Sequence, residues 1–516
     1  MPDIGFWKLA QDDPNALAVV EPDGREITRG ELLAAANQLV HGLRALGLEQ
    51  GDVIAAVVPN GAPMLELFMA ATQAGWYVTP INHHLAGPEI AYIVQDSEAK
   101  ALFGHERFSD VLTKAVAEIG YAPERSFALG NVPGFQSYED LKRRQPTTRP
   151  DNRSFGMPMQ YTSGTTGRPK GVRRALPGVD PDVAAQFTGG FLGMFGIRPD
   201  DGNVHLTVSP LYHTAVLMFT QSSMHLGHPV VLMDKWTPEG TLERIERYRV
   251  TTSHMVPTQF HRLLALPEEV RARYDVSSLR HMIHAAAPCP PDIKRRMIEW
   301  WGNAIDEYYA ATEGGGTIVT AAQWLDHPGT VGQAWPNAEI RILDDDGKDV
   351  PAGQIGTVYM KMVGGEFEYY KDKAKTAANR REGFFTVGDV GYLDEDGWLF
   401  LRDRKTDMII SGGVNIYPAE IEGELLTHPK VGDAAVFGIP HPDWGEEVKA
   451  VIEPAAEIAP SAELAQEILG YLRGRIAGYK VPRTIDFVDA LPRDPNGKLY
   501  KRKLRDPYWE GRERAI

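Results

Sequence analysis

The first hundred residues alternate between two hydrophobic periods. ALAVV (16–20) is a short unbroken apolar run, which reads as a strand, and Asp23-Gly24 supplies a turn after it. From Thr28 the period changes: Leu32, Leu33, Ala36, Leu39, Val40 and Leu43 recur at helical spacing. Thr28 and Glu31 form a capping box at the start of this predicted helix, and Gly47 closes it. DVIAAVV (52–58) returns to a strand, residues 63–74 to a helix, and another short strand ends near Pro80. This alternation predicts α/β layers with much parallel sheet.

Around residue 400 the pattern changes style. GWLFLRDRKTDMIISGG (397–413) reads as a strand, a charged stretch and a second strand. A helix (PAEIEGELLTH), two strands (DAAVFGI, EVKAVIE), a helix over 462–476 and a strand (TIDFVDAL) follow. That order predicts a small α+β domain after a large N-terminal domain of layered sheets and helices, with the boundary at 402–407. The basic stretch KLYKRKL (498–504) reads as a solvated surface.

Composition narrows the functional classes. A chain of 516 residues exceeds one ordinary core, and its 43% apolar share suits a globular protein. The net charge of −15 argues against nucleic acid or an anionic membrane as the main partner. Cys289 is the single cysteine, so no intrachain disulfide forms and a reducing, cytoplasmic setting is expected. The start, MPDIGFWKLAQDDP, lacks the basic n-region of a signal peptide. Pro and Asn interrupt the best apolar run, VIAAVVPNGAPMLELF, so no transmembrane segment is expected.

The most concentrated chemistry is YTSGTTGRPKG (161–171), with three Gly, four Ser/Thr, an Arg and a Lys. Glycines let backbone N–H groups converge on phosphate oxygens, hydroxyls add donors and Lys adds charge. The spacing is not that of a P-loop NTPase: only Thr165 and Thr166 separate Gly164 from Gly167, and Gly171 follows Lys170 where Ser or Thr is required. Pro169 also restricts the residue before it, so the loop does not run into a helix. Ser163 lacks the flanking glycines of a hydrolase elbow. The loop reads as a phosphate cradle of another type.

The stretch resembles the signature of the adenylate-forming superfamily: acyl-CoA synthetases, peptide-synthetase adenylation domains and firefly luciferase. Further matches follow in the family's order: PLYHTA (210–215), HAAAPCP (284–290), YAATEGG (309–315), FTVGDVGYLDEDG (385–397), DRKTDMIISGGVNIYPAEIE (403–422) and LPRDPNGKLYKRKL (491–504). The run from HAAAPCP to YAATEGGG most resembles bacterial fatty-acyl-CoA synthetases.

The resemblance implies two half-reactions. A carboxylate attacks the α-phosphate of ATP, giving acyl-AMP and pyrophosphate; the thiol of CoA then takes the acyl group and AMP leaves. It assigns Thr162, Ser163, Gly164, Thr165, Thr166, Gly167 and Lys170 to the β- and γ-phosphates, and Glu313 with Thr165 to Mg2+. Ala286, Ala287, Tyr308 and Tyr309 fall at the adenine, Thr312 at the α-phosphate, and Asp389 and Arg404 at the ribose. Lys498 would hold the carboxylate and α-phosphate oxygens in the first step. His213 would gate the acyl site, with Ala311 and Gly314 lining it, and Gly412 and Gly413 would leave a channel for the pantetheine arm. The family division is a 1–402 adenylation domain, a hinge at 403–407 centred on Thr406, and a mobile 408–516 domain carrying Lys498.

Two departures stand out: Ala310 replaces the Gly usual after the motif's aromatic, and Thr406 stands where Asp or Lys is usual. PLYHTA lacks the Asp that pairs an amino-acid amine, so an α-amino acid is not expected. His83 and His84, in INHH, read as structural. In FTGGFLGMFGI (187–197) the glycines either open room for a long or ring-bearing acyl group or serve close backbone packing. The leading expectation is an ATP-dependent acyl-CoA synthetase for an apolar acid, medium- or long-chain fatty or bulky cyclic. Its rivals are a ligase loading carrier-protein phosphopantetheine, a luciferase-like oxygenase and a non-catalytic nucleotide-binding scaffold.

Overall fold

Thr28 ends the strand Glu26–Thr28 and caps the helix Arg29–Ala45: its side chain accepts from the Glu31 N–H, and the Glu31 carboxylate accepts from the Thr28 N–H at 2.8 Å. The predicted apolar stripe is the buried one. It packs on the helix Ala62–Ala74, which is buried nearly all round and ends on Gly75 in the left-handed region (φ +77°).

The computed structural model describes residues 4–162, 169–199, 201–363, 366–493 and 497–511. They form two compact units, Met1–His254 with Glu268–Met282 and Glu366–Ala378, and Met255–Pro267 with Ile283–Gly365 and Asn379–Ile516. The class is mixed α/β, with a large N-terminal and a smaller C-terminal domain.

In the first unit a six-stranded parallel sheet runs in the order Gln136–Ser137, Ser126–Leu129, Ala101–His105, Val53–Val57, Tyr77–Pro80, Met157–Pro158. Val53–Val57 is buried at every position, which explains its unbroken apolar run: a parallel strand is covered on both faces. A second group places Leu17–Val20 beside Val230–Leu232, followed by His205–Thr207 and Thr252–Met255, all parallel.

In the second unit antiparallel pairing already begins at the hairpin Ile305–Ala310/Gly316–Val319, well before residue 400. An antiparallel sheet follows, in which Gly356–Met362 pairs Ala338–Leu343 and Asp389–Leu393, and the latter pairs Leu399–Arg404. The last sheet is Val414–Ile416, Ile409–Ser411, Gly445–Pro454 and Val431–His441, with Thr484–Phe487 parallel to Gly445–Pro454. The helices Pro418–Leu425 and Ala462–Arg473 cover it with a core of their own, including Ile409, Ile421, Leu425, Val436, Ile468 and Leu472.

In the basic stretch at 498–504 Arg502 and Lys503 are exposed as expected, and Lys501 departs from the solvated reading. Lys501 opens the helix Lys501–Arg505 and its ammonium is 2.9 Å from the buried Glu422 carboxylate. A buried acid can recruit a Lys out of a basic run, which composition does not reveal.

Four histidines of the first unit are held neutral. Burial pushes His83, His225 and His254 down to about 4 and His205 to about 3; His84 and Arg107 add to the effect at His83, and His254 and His228 at His205. The unfolded chain protonates each near 6.5 while the folded one does not. Stability is therefore lost as pH falls from 6.5 towards 4. Each histidine contributes a loss of about 1.4 kcal/mol one pH unit below its unfolded value. Denaturant unfolding at pH 7.5 and pH 5.5 should show a large drop at the lower pH; equal midpoints would refute the neutral assignment.

Candidate active site

In the first unit the phosphate-cradle residues Ser163, Gly164, Thr165, Thr166 and Gly167 lie outside the described residues, as does the Thr162 side chain. Their setting is clear. Gln160–Thr162 and Lys170–Arg173 are antiparallel, with Thr162 opposite Lys170 and Gly171 opposite Tyr161. The loop thus joins two strands of a hairpin, whereas a P-loop leads from a strand into a helix. This bears out the rejection of that motif.

The hairpin is clamped from three sides. Tyr92 donates to the Pro169 carbonyl at 3.1 Å, and Tyr161 donates to Asp96 at 2.7 Å. Glu368–Tyr369 adds a third antiparallel strand, and the Tyr370 N–H donates to the Gly171 carbonyl at 2.8 Å. The Arg173 guanidinium sits between the Tyr77 and Tyr370 rings, at 4.4 and 4.7 Å. Lys170 Nζ lies 3.4 Å from Asp372 Oδ2, with both side chains about a quarter exposed. No local pattern points to Asp372, because it lies far from Lys170 along the chain.

His213 is the residue preceding the helix Thr214–His225, in extended backbone. Asn60 fixes the turn before it, donating to the Ser209 and Met233 carbonyls (3.0 and 2.8 Å) and accepting from the Leu211 N–H (2.8 Å). The His213 ring is 4.5 Å from Tyr212, which meets His83 edge-on at 5.2 Å; His83 in turn stacks on Phe108 at 4.6 Å. His83, read as structural, therefore buttresses the candidate gate through one ring. The glycines of 187–197 do not open an internal space. A Cβ on Gly189 would press on Leu226 at 3.0 Å, Gly190 and Gly193 are exposed, and Gly196 turns the chain at φ +78°.

In the second unit the strand Ile305–Ala310 carries Tyr308 and Tyr309 and turns through Ala311, Thr312, Glu313, Gly314 and Gly315 into Gly316–Val319. Gly314 (φ +122°) and Gly315 (φ +74°) make that turn possible. Glu313 is buried within it at 6% exposure, one oxygen donor group of the kind Mg2+ takes alongside substrate phosphates. Among the described residues no group of three or more His, Cys, Asp or Glu forms a metal cage.

Tyr309 donates its hydroxyl to Asp389 Oδ2 at 2.7 Å, and burial with the Asp389 charge pushes the phenol well above its usual range. Asp389 and Arg404 are direct cross-strand partners, with Arg404 Nε 3.4 Å from Asp389 Oδ1. The structure thus brings Tyr309, Asp389 and Arg404 together. Ala286, in the HAAAPCP loop, has φ +71°, a strained conformation for a residue with a Cβ; Ala287 follows it, partly buried.

Beneath this strand Lys294 donates to Glu307, with its ammonium 5.0 Å over Trp324 and His284 Nε2 3.6 Å from the same oxygen. The pair ties the helix Pro291–Trp301 to the strand bearing both tyrosines. Sequence reasoning missed it, yet a signal existed: Lys294 lies on the stripe Lys294, Met297, Ile298, Trp301, all buried.

Lys498 is partly buried and follows Gly497 (φ +77°). Gly412 (φ +58°) and Gly413 (φ +79°) form a two-residue hairpin turn between Ile409–Ser411 and Val414–Ile416, and the Gly412 N–H donates to the Trp444 carbonyl at 2.9 Å. Thr406 offers its carbonyl to Arg505 Nη1 at 3.3 Å.

The family model described as AMP-binding enzyme matches residues 6–370, and the AMP-binding enzyme C-terminal domain matches 420–498. The chain is 31% identical to the fatty acid–[acyl-carrier-protein] ligase ScoC of Streptomyces coeruleorubidus, covering 98% of this chain and 96% of that one. It is 33% identical to a feruloyl-CoA synthase of Amycolatopsis sp, over 97% and 98% of the two chains. ATP-bound MatB from Rhodopseudomonas palustris matches with a TM-score of 0.81 at 30% identity, over 98% and 99%.

The Lys170–Asp372 contact yields a prediction. A part-exposed ion pair is worth at most about 1 kcal/mol, so a nucleotide phosphate can draw Lys170 away. Asp372→Asn should lower the KM for ATP about two- to five-fold. The same change should have no effect in a Lys170→Met background. Pyrophosphate release against ATP concentration measures both; a raised KM in Asp372→Asn would show that Lys170 does not reach the phosphates.

Proposed function

The chain belongs to the AMP-binding enzymes, as an AMP-forming acid–thiol ligase, and from that premise we propose that it activates an apolar carboxylic acid as acyl-AMP and passes the acyl group to CoA. The acid is a medium- or long-chain fatty acid or a bulky cyclic one. The observation that carries this choice is the chain of rings that ends at the gate, Phe108–His83–Tyr212–His213, in which burial keeps His83 neutral. Such a run of rings stabilises apolar surface.

Step one brings an anion to a polyanion, so positioning and charge neutralisation dominate. In the proposed roles Lys170 and the 162–167 cradle hold the phosphate tail, with Thr165 and Glu313 as the oxygen donors for Mg2+. Tyr308, Tyr309, Ala286 and Ala287 hold the adenine, and Asp389 with Arg404 the ribose. Thr312 and Lys498 meet the reacting oxygens, and His213, Ala311 and Gly314 face the acyl group. The Asp389–Arg404 pairing supports the ribose role, since it holds a carboxylate in place between a cation and a phenol, and carboxylate oxygens are acceptors for hydroxyls.

Residues 1–402 serve as the adenylation domain, 403–407 as the hinge and 408–516 as the mobile domain. Lys405 donates to the Gly388 carbonyl (2.8 Å) and to Asp345 (2.6 Å), while Thr406 and Asp407 are held by Arg505 at 3.3 and 3.4 Å. Attachments that change side at Lys405–Thr406 support a pivot there. Among the described residues no helix is long and apolar enough to cross a membrane. The lone Cys289 supports a reducing cytoplasmic setting.

One second reading has specific support: ScoC, a relative at 31% identity, is named for loading an acyl-carrier protein. A panel of fatty, aromatic and alicyclic acids assayed for pyrophosphate release, then for AMP release with CoA or a phosphopantetheinylated carrier protein, decides the acid and the acceptor. AMP release only with the carrier would overturn the CoA assignment.

The two faces of the small domain should fail separately. Lys498→Ala should lower acyl-AMP formation by about 10²–10³, the scale of one preorganised donor, yet still convert supplied acyl-AMP and CoA to thioester. Gly413→Leu should block the thiol step and spare adenylation. Equal loss of both steps in Lys498→Ala would refute the division of labour.

A further inference from the structure

We infer that Arg493 is the positioning residue for Lys498, clamping the loop that presents the lysine to Asp433 at one end and to the Gly497 carbonyl at the other. The inference rests on the reading of Lys498 as the adenylating lysine. The loop is pinched at its base, where Arg493 and Leu499 form an antiparallel bridge and the Tyr500 N–H donates to the Pro492 carbonyl at 2.8 Å. Across that base the Arg493 guanidinium uses all its edges. Nε and Nη2 donate to the two oxygens of Asp433 at 2.5 and 2.7 Å, and Nη1 donates to the Gly497 carbonyl at 2.6 Å.

Asp433 is a fixed anchor. It is buried near the start of the strand Val431–His441, and its Oδ1 also accepts from the Ala434 N–H at 2.8 Å. Under the loop, Leu491 packs with Phe437 and Val451, against which Leu499 and Leu504 rest. Gly497 approaches the segment 256–258 so closely that a Cβ there would lie 2.7 Å from Thr258 Oγ1.

The link to Lys498 is covalent geometry. A peptide unit is planar, so holding the Gly497 oxygen also sets the direction of the Lys498 N–H and the position of its Cα. The lysine side chain is a flexible four-carbon stem, so its ammonium is only as well placed as the backbone beneath it. Three acceptors in one plane require the guanidinium fork; an ammonium is a point donor that cannot span them.

The test measures both half-reactions in wild type, Lys498→Ala, Arg493→Met, Arg493→Lys and Asp433→Asn. It uses ferulate or dodecanoate, whichever turns over faster, and the matching acyl-AMP. Arg493→Met and Asp433→Asn should each lose adenylation about 100-fold, the scale of a group misplaced by about 1 Å, while thioester formation from supplied acyl-AMP changes less than about three-fold. Arg493→Lys should recover part of the loss, and adding Arg493→Met to Lys498→Ala should cost nothing more. A second readout needs no turnover: trypsin should cut at Lys498 faster in Arg493→Met than in wild type, at a temperature where both proteins are fully folded. Equal loss of both half-reactions in Arg493→Met, intact adenylation, or an unchanged cleavage rate would overturn the clamp. If Lys498→Ala itself loses both half-reactions or neither, the reading of Lys498 fails, and the trypsin result then judges the clamp alone.

Discussion

The cluster of candidate site residues in the second unit is organised around one carboxylate, that of Asp389. One oxygen accepts from the Tyr309 hydroxyl and the other faces Arg404, so the strand bearing Tyr309 and the hairpin bearing Asp389 and Arg404 converge on a single group. The convergence depends on register. Asp389 and Arg404 are opposite each other only because the strands Asp389–Leu393 and Leu399–Arg404 pair as they do, with a bulge between Val390 and Gly391. A slip of one residue would turn both side chains to the other face.

The same strand leads directly to the small domain. Asp403, beside Arg404, accepts from its N–H and from the Ala419 N–H, both at 2.8 Å. That bond satisfies an open donor at the start of the helix Pro418–Leu425. Glu422, on that helix, accepts from the Val436 N–H at 2.7 Å and pairs with Lys501. Burial raises both acids, and Lys501 answers them; removing the lysine alone would leave two desolvated carboxylates, a loss of about 3–5 kcal/mol. The segment that follows Lys498 is therefore tied to the helix Pro418–Leu425.

The apolar-acid reading and the phosphate cradle rest on the first unit, where the polar groups act mainly on backbone. Asn60 holds the turn before His213, and Tyr92 and Tyr370 hold the hairpin that carries Lys170. They hold the backbone that leads to the candidate residues in place.

The sequence was sufficient wherever the signal was local. The capping box of Thr28 and Glu31, the period of the helix that follows, the unbroken strand 53–57 and the order of motifs from 161 to 504 all lie within short windows. Short-range periodicity and spacing encode such features. The sequence also excluded a P-loop from spacing alone, and the hairpin agrees. It did not show that Lys501 pairs with Glu422, that His83 joins the ring chain reaching His213, that Gly190 and Gly193 face outward, or that Lys294, Asp372, Asp433 and Arg493 have partners. Each of those outcomes depends on which distant group the fold brings within hydrogen-bond reach, and a charged or aromatic residue reads the same along the chain whether or not that partner arrives. Sequence by itself determined the elements, the family and the types of residue at the site; tertiary structure decided the pairings, because burial and electrostatic interaction are set by distances between segments that no local window contains.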